Sequence, residues 1–244
     1  MSVNTVILLH GFCSSSRAWD ITQQALARDF EVLAPDWPGF GREMHAPPLQ
    51  SIADMAERVV QLADARGLER FHLVGHSMSG FVVQHLLLAH PERIGRAVLY
   101  GTFAAMRDGG RFESVAATAE KLCVDGIPKT VERIVTGWFV KGSDDPHYGE
   151  CVRQGRQMSM PAAQAAMAAC GPVDFSARLG EMRPPVLVIT GDRDRTVDIK
   201  AATALARGLP DGQLCVLPRA AHAAHLEQAE LFHLVLSRFL RGLS

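Results

Sequence analysis

Ser77 sits in Gly75-His76-Ser77-Met78-Ser79-Gly80, a run of mostly small residues with an apolar segment on either side (residues 71–74 and 81–88). A strand, a sharp turn with a serine at its apex and then a helix is the context of a nucleophile elbow. A serine hydroxyl is a poor nucleophile until a base takes its proton and hydrogen-bond donors hold the oxyanion. Such a turn pushes Ser77 Oγ out over a sheet. It also sets the Met78 N–H at a helix N-terminus, where the dipole favours negative charge. The pattern departs from strict G-x-S-x-G, because Ser79 holds the last glycine position and Gly80 follows it. Taken alone, the same turn also suits tight strand–helix packing with no chemistry.

A nucleophilic serine needs a base, and the base needs an orienting acid. Two downstream loops offer both, each after a predicted strand. Gly191-Asp192-Arg193-Asp194-Arg195 follows residues 186–190, with Asp192 and Asp194 as candidate acids. Pro218-Arg219-Ala220-Ala221-His222-Ala223-Ala224-His225-Leu226-Glu227 follows residues 213–217, with His222 and His225 as candidate bases. The second oxyanion donor should come from the loop after an early strand. His10-Gly11-Phe12 stands there, Gly11 allowing close approach and the Phe12 N–H donating.

The elements that must hold these residues alternate along the chain. Residues 5–9, 31–34, 71–74, 96–100, 186–190 and 213–217 read as buried strands, with helices such as 52–66 and 81–90 between them. Alternation of this kind predicts βαβ units and a parallel sheet covered on both faces. A last helix, near residues 226–240, presents Phe232, Val235, Leu236, Phe239 and Leu240 on one stripe. The pattern breaks at about residues 103–177, where helical segments (114–123, 130–139, 148–158, 162–170) occur without a convincing strand. A helical insertion of this kind reads as a lid over the crevice at the strand C-termini.

Composition narrows the function classes. The chain has 244 residues and a formal charge of −1, with no basic excess to attract a nucleic acid or an anionic membrane. Its five cysteines (Cys13, Cys123, Cys151, Cys170, Cys215) are scattered, without zinc-site spacing, and read as reduced thiols in a cytoplasmic protein. Residues 6–9 read as a strand and not as a signal peptide, and no apolar run is long enough to span a bilayer. His222 and His225 lack the carboxylate or cysteine partners of a metal site, so no metal and no cofactor is expected.

Jointly these segments resemble the α/β-hydrolase superfamily over nearly the whole chain. The resemblance rests on Leu8-Leu9-His10-Gly11-Phe12, Ala34-Pro35-Asp36-Trp37-Pro38-Gly39-Phe40-Gly41-Arg42, Gly75-His76-Ser77-Met78, Gly191-Asp192-Arg193-Asp194 and His222-Ala223-Ala224-His225-Leu226-Glu227. It implies an α/β-hydrolase fold, a mostly parallel sheet with helices on both faces. The core is expected over residues 1–102 and 178–244 and a helical cap over 103–177. The family's acid usually stands three residues after the strand-ending glycine, which selects Asp194 and leaves Asp192 to shape the loop. Its histidine usually follows a small residue and precedes a Leu–Glu pair, which selects His222. The family often has glycine before that histidine, whereas Ala221 stands here. His10, His76 and Asp36 read as structural.

The resemblance implies a serine hydrolase acting on an ester or lactone of a small, largely apolar substrate through an acyl-enzyme. Ser77 attacks, His222 is the base, Asp194 orients it, and Phe12 and Met78 hold the oxyanion. Cap length and residues 184–191 look similar to 3-oxoadipate enol-lactone hydrolases and small carboxylesterases. Expected substrate contacts are Cys13, Trp37, Phe103, Trp138, Phe139 and His225, with some of Met106, Met158, Met160 and Met167; Arg107, Arg111 and Lys141 read as solvated charge. Two other readings stay open. One is a carbon–carbon lyase of the same fold. The other is a triad-retaining small-ligand receptor or regulator, which the Gly-His-Ser-x-Ser elbow supports.

Overall fold

The computed structural model describes residues 3–106 and 113–243. Six parallel strands form one sheet: β1 (Thr5–Leu9), β2 (Glu31–Leu33), β3 (Phe71–His76), β4 (Ile94–Tyr100), β5 (Val186–Gly191) and β6 (Gly212–Leu217), in the order β2-β1-β3-β4-β5-β6. The core helices are α1 (Asp20–Leu26), α2 (Ile52–Ala65), α3 (Met78–Ala89), α7 (Ile199–Gly208), α8 (Ala224–Glu227) and α9 (Ala229–Leu240). Three more, α4 (Val115–Thr136), α5 (Tyr148–Gly155) and α6 (Met160–Cys170), are inserted between β4 and β5.

Alternate side chains of each strand point to opposite sides, and both faces are covered over the four central strands. The edge strands β2 and β6, expected to be buried, are instead largely exposed or half-buried. Ile7, Leu9, Leu73, Leu99 and Val188 join the core shared with α2, α3 and α7. Val6, Leu8, Val74, Val98 and Ile189 join the core that Trp19, Leu26, Phe232 and Leu236 complete from the α1 and α9 side. The strand order reverses direction between β1 and β3. In open parallel sheets the crevice outside the strand C-termini at such a switch point is where ligands bind. The loops carrying Gly11-Phe12 and Ser77 leave from those two strands.

Local signals explain the helix boundaries. Ser51, Ser114 and Ser159 each cap a helix, their hydroxyls accepting from the N–H groups of Asp54, Ala117 and Ala162. Pro91 follows the end of α3, where a helix cannot continue. The segments predicted separately at 114–123 and 130–139 are two helical stretches within α4, parted at Gly126, whose backbone is not helical (φ 73°, ψ 177°), two residues before Pro128. The single C-terminal helix predicted near 226–240 is instead two, α8 and α9, broken at Gln228. Among the described residues no helix is long and apolar enough to cross a membrane.

Candidate active site

The elbow forms because the chain is pinned on both sides of Ser77. A Cβ at Gly75 would lie 2.5 Å from the Ser79 carbonyl oxygen, and one at Gly80 would lie 2.4 Å from the Thr102 side chain. Only glycine permits these two approaches. Ser77 itself takes φ 54° and ψ −116°, a sparsely populated conformation for a residue with a Cβ. Its N–H donates to the Tyr100 carbonyl (2.8 Å) and its carbonyl accepts from Gly80 N–H (2.9 Å), so the surroundings hold the strain in place.

The structure brings Asp194, and not Asp192, against His222. His222 Nδ1–H donates to Asp194 Oδ2 at 2.8 Å, and both side chains are 1% exposed. Asp194 Oδ1 accepts from the N–H groups of Thr196 (2.7 Å) and Val197 (3.0 Å), which aims the other oxygen at the imidazole. Placing the proton on Nδ1 leaves Nε2 as the acceptor, the tautomer a general base needs. Asp192 instead accepts from Ala220 N–H (3.2 Å) and shapes the loop.

Tyr100 holds His222 from behind and was not anticipated from the sequence. Its hydroxyl donates to the His222 carbonyl (2.7 Å), and His76 Nε2–H donates to the same oxygen (3.2 Å). The single Tyr100 proton is thereby committed. The 3.0 Å contact with His225 is therefore donated by His225 Nδ1–H. Glu227 adds another restraint: one carboxylate oxygen accepts from Ala221 N–H (2.6 Å), the other from Val140 N–H (2.7 Å) in the inserted segment. Strand-end tyrosines carry no sequence signal of such a role, whereas Glu227 lay within the Leu–Glu pair already noted.

Ser77 and His222 open onto one narrow cavity. Phe12 and Met78 are on its wall too. The Phe12 N–H has no backbone acceptor among the described residues. Met78 begins α3, where the N–H has no partner within the helix. Two such donors beside a serine are suited to stabilise an oxyanion. Most of the rest of the wall is apolar, from Phe81, Phe103, Met106, Ile134, Trp138, Met167, Cys170 and Val197, with Gly101, Thr102 and Thr196 beside them. Among the described residues it carries no Lys, Arg, Asp or Glu.

Of the expected substrate contacts, Phe103 and Trp138 line this cavity, as do Met106 and Met167. Four do not. The Trp37 indole is turned away to hydrogen-bond the His10 carbonyl and Ser79 (both 3.1 Å). His225 packs among Trp19, Tyr100 and Phe232 on the opposite side of the sheet. Cys13 is fully buried at φ 58°, against Gly155, and Phe139 is buried in the core behind the wall. Met158 and Met160 are likewise off the wall. Lys141 is exposed, and Arg107 and Arg111 lie outside the described residues.

Burial keeps the supporting histidines neutral. It lowers His10 to about 4 and His225 to about 3, and holds His76 well below the ordinary value. Asp36 is ionised despite burial, because Ser16 N–H (2.6 Å) and the Arg42 guanidinium (2.9 Å) donate to it. Both readings match the structural roles expected of these residues. No group of His, Cys, Asp and Glu suited to a metal ion occurs among the described residues.

Residues 4–229 match the family described as alpha/beta hydrolase fold. The chain is 31% identical over 246 residues to the protein of Agrobacterium fabrum named "Putative carbamate hydrolase RutD", covering 97% of this chain and 92% of that one. It is also 31% identical over 254 residues to the 2-hydroxy-6-oxononadienedioate/2-hydroxy-6-oxononatrienedioate hydrolase of Paraburkholderia phymatum, covering 97% and 86%. The crystal structure of the enol-lactonase from Burkholderia xenovorans superposes with a TM-score of 0.90 over 99% of this chain and 92% of that one. At 22% identity that likeness speaks to the fold alone.

Proposed function

Because the chain belongs to the alpha/beta hydrolase fold family and is a hydrolase of that fold, we propose that it cleaves a small, uncharged ester or lactone through an acyl-enzyme on Ser77. His222 Nε2 takes the Ser77 proton as Oγ attacks the carbonyl carbon. The imidazolium that forms is stabilised by Asp194, and the oxyanion by the N–H groups of Phe12 and Met78. His222 then returns the proton to the leaving oxygen. Water, activated by the same nitrogen, releases the acid. Residues 103–177 act as the cap, with the inserted side of the wall covering the acyl group. The address fits the cytoplasm, since none of the five cysteines is in a disulfide.

The observation that carries this reading is the 2.8 Å His222–Asp194 bond, buried at the cavity that Ser77 also lines. The apolar wall supports the neutral substrate, because an unpaired carboxylate there would lose its hydration without compensation. A panel of chromogenic esters with rising acyl length, a lactone and a carboxylate-bearing ester tests it. Neutral short esters or the lactone should give a kcat/KM at least roughly tenfold above the charged ester. Preference for the charged ester would contradict the reading.

A second reading, carbon–carbon hydrolysis, is favoured by the Paraburkholderia relative, whose name is that of a hydroxy-oxo-dienedioate hydrolase. Turnover of a vinylogous diketone with none of any ester would select it.

A further inference from the structure

Ser79 occupies the position where the strict elbow pattern has glycine, and the structure shows that no glycine is needed there. The close approaches fall on Gly75 and Gly80. Ser79 is fully buried, and its hydroxyl donates to the His10 carbonyl oxygen. The Trp37 indole N–H reaches that same oxygen and also Ser79 Oγ, both at 3.1 Å. Two donors fill the carbonyl's two lone pairs.

The His10 ring is held as firmly. Its Nδ1–H donates to Gly11 O (2.9 Å), and its Nε2 accepts from Trp37 N–H (3.1 Å).

The held carbonyl lies two residues before the Phe12 N–H. Between them stands Gly11, the most permissive residue for backbone rotation. A side chain there would be tight, its Cβ lying 3.1 Å from Ser77 Cβ and 3.2 Å from the His76 carbonyl oxygen. The two donors on the His10 carbonyl hold the residue whose ring in turn holds Gly11 O, the oxygen in the same peptide plane as the Phe12 N–H, and so they help set where that N–H points. The elbow helix supplies one of the two donors that do so, which ties the nucleophile and the oxyanion loop into one rigid unit.

We propose that Ser79, together with Trp37, is a positioning residue that aims the Phe12 N–H at the oxyanion. The proposal rests on the reading of Ser77 as nucleophile. It also gives Ser79 a task in catalysis, in place of the receptor reading that its elbow pattern had kept open.

The test compares wild type with Ser79→Ala and Trp37→Phe in three measurements. These are kcat and KM on a neutral ester, inhibition by an alkyl boronic acid, and thermal stability. The boronic acid forms a tetrahedral anion on a serine and so reports on the oxyanion donors. In each variant kcat should fall roughly tenfold and boronic acid affinity by a similar factor, with KM held within about twofold. If stability drops while kcat and boronic acid affinity stay within about twofold of wild type, Ser79 serves packing only and the proposal is overturned. A fall in kcat with boronic acid affinity intact overturns it as well. Should Ser79→Ala not fold, Trp37→Phe carries the same two outcomes. The underlying reading fails separately: wild type would then be untouched by boronic acid, and Ser77→Ala would keep its turnover.

Discussion

Ser77→Ala should lower kcat for ester hydrolysis on the order of 10⁶-fold, the scale seen when the nucleophile of a comparable triad is removed. The size follows from what is lost. Without Oγ there is no covalent intermediate, and only binding and oxyanion stabilisation remain to help a water molecule attack. The fold should survive, because the change deletes one oxygen that faces the cavity. Alanine meets the same backbone strain at φ 54° that serine does. Steady-state kinetics beside a thermal melt separates the two effects. Full turnover in a well-folded Ser77→Ala protein would exclude the acyl-enzyme.

Acid should unfold the protein at a pH well above that set by its carboxylates. Burial lowers His10 and His72 to about 4 and His225 to about 3, from an ordinary value of 6.5. His76 is lowered by burial too. Each histidine is neutral when folded and binds a proton when unfolded, so between about pH 6.5 and 4 the unfolded chain holds more protons. Stability is therefore full above pH 6.5 and falls as the pH drops towards 4. At pH 5 each such group costs about 2 kcal/mol. Several together approach the whole stability of an ordinary domain, about 5–15 kcal/mol. Glu227, raised by burial, opposes this modestly by gaining a proton in the folded state. Urea titrations between pH 7.5 and 5 should show a steep fall in midpoint. A midpoint unchanged over that range would mean these histidines are not buried as described.

Much of the fold was legible because its central strands are buried on both faces and appear as short, continuous apolar runs. β1 falls on the predicted residues, and all six strands lie at their expected places. The break within α4 was legible too, since Gly126 and Pro128 mark the end of one helical stretch and the start of the next. Candidate site residues could be named wherever chemistry fixes the residue type, and the structure brings two of them, Asp194 and His222, into a hydrogen bond and sets His222 and Ser77 on one cavity. Pocket residues could not, because an aromatic side chain in a loop has the same spacing whether it faces a cavity or a hydrogen bond. Trp37 illustrates this: its indole N–H is spent on a backbone carbonyl. Tyr100 was missed for a related reason. Its ring belongs to the apolar strand pattern, and only its hydroxyl reaches His222.

The central claim is a covalent acyl group on Ser77. An ester that acylates quickly and deacylates slowly, quenched in acid during the burst and digested, gives the most direct answer by mass spectrometry. The peptide containing Ser77 should carry the acyl mass in wild type and not in Ser77→Ala. Turnover with no adduct in the burst, or an adduct on another residue such as Cys13, would contradict the account.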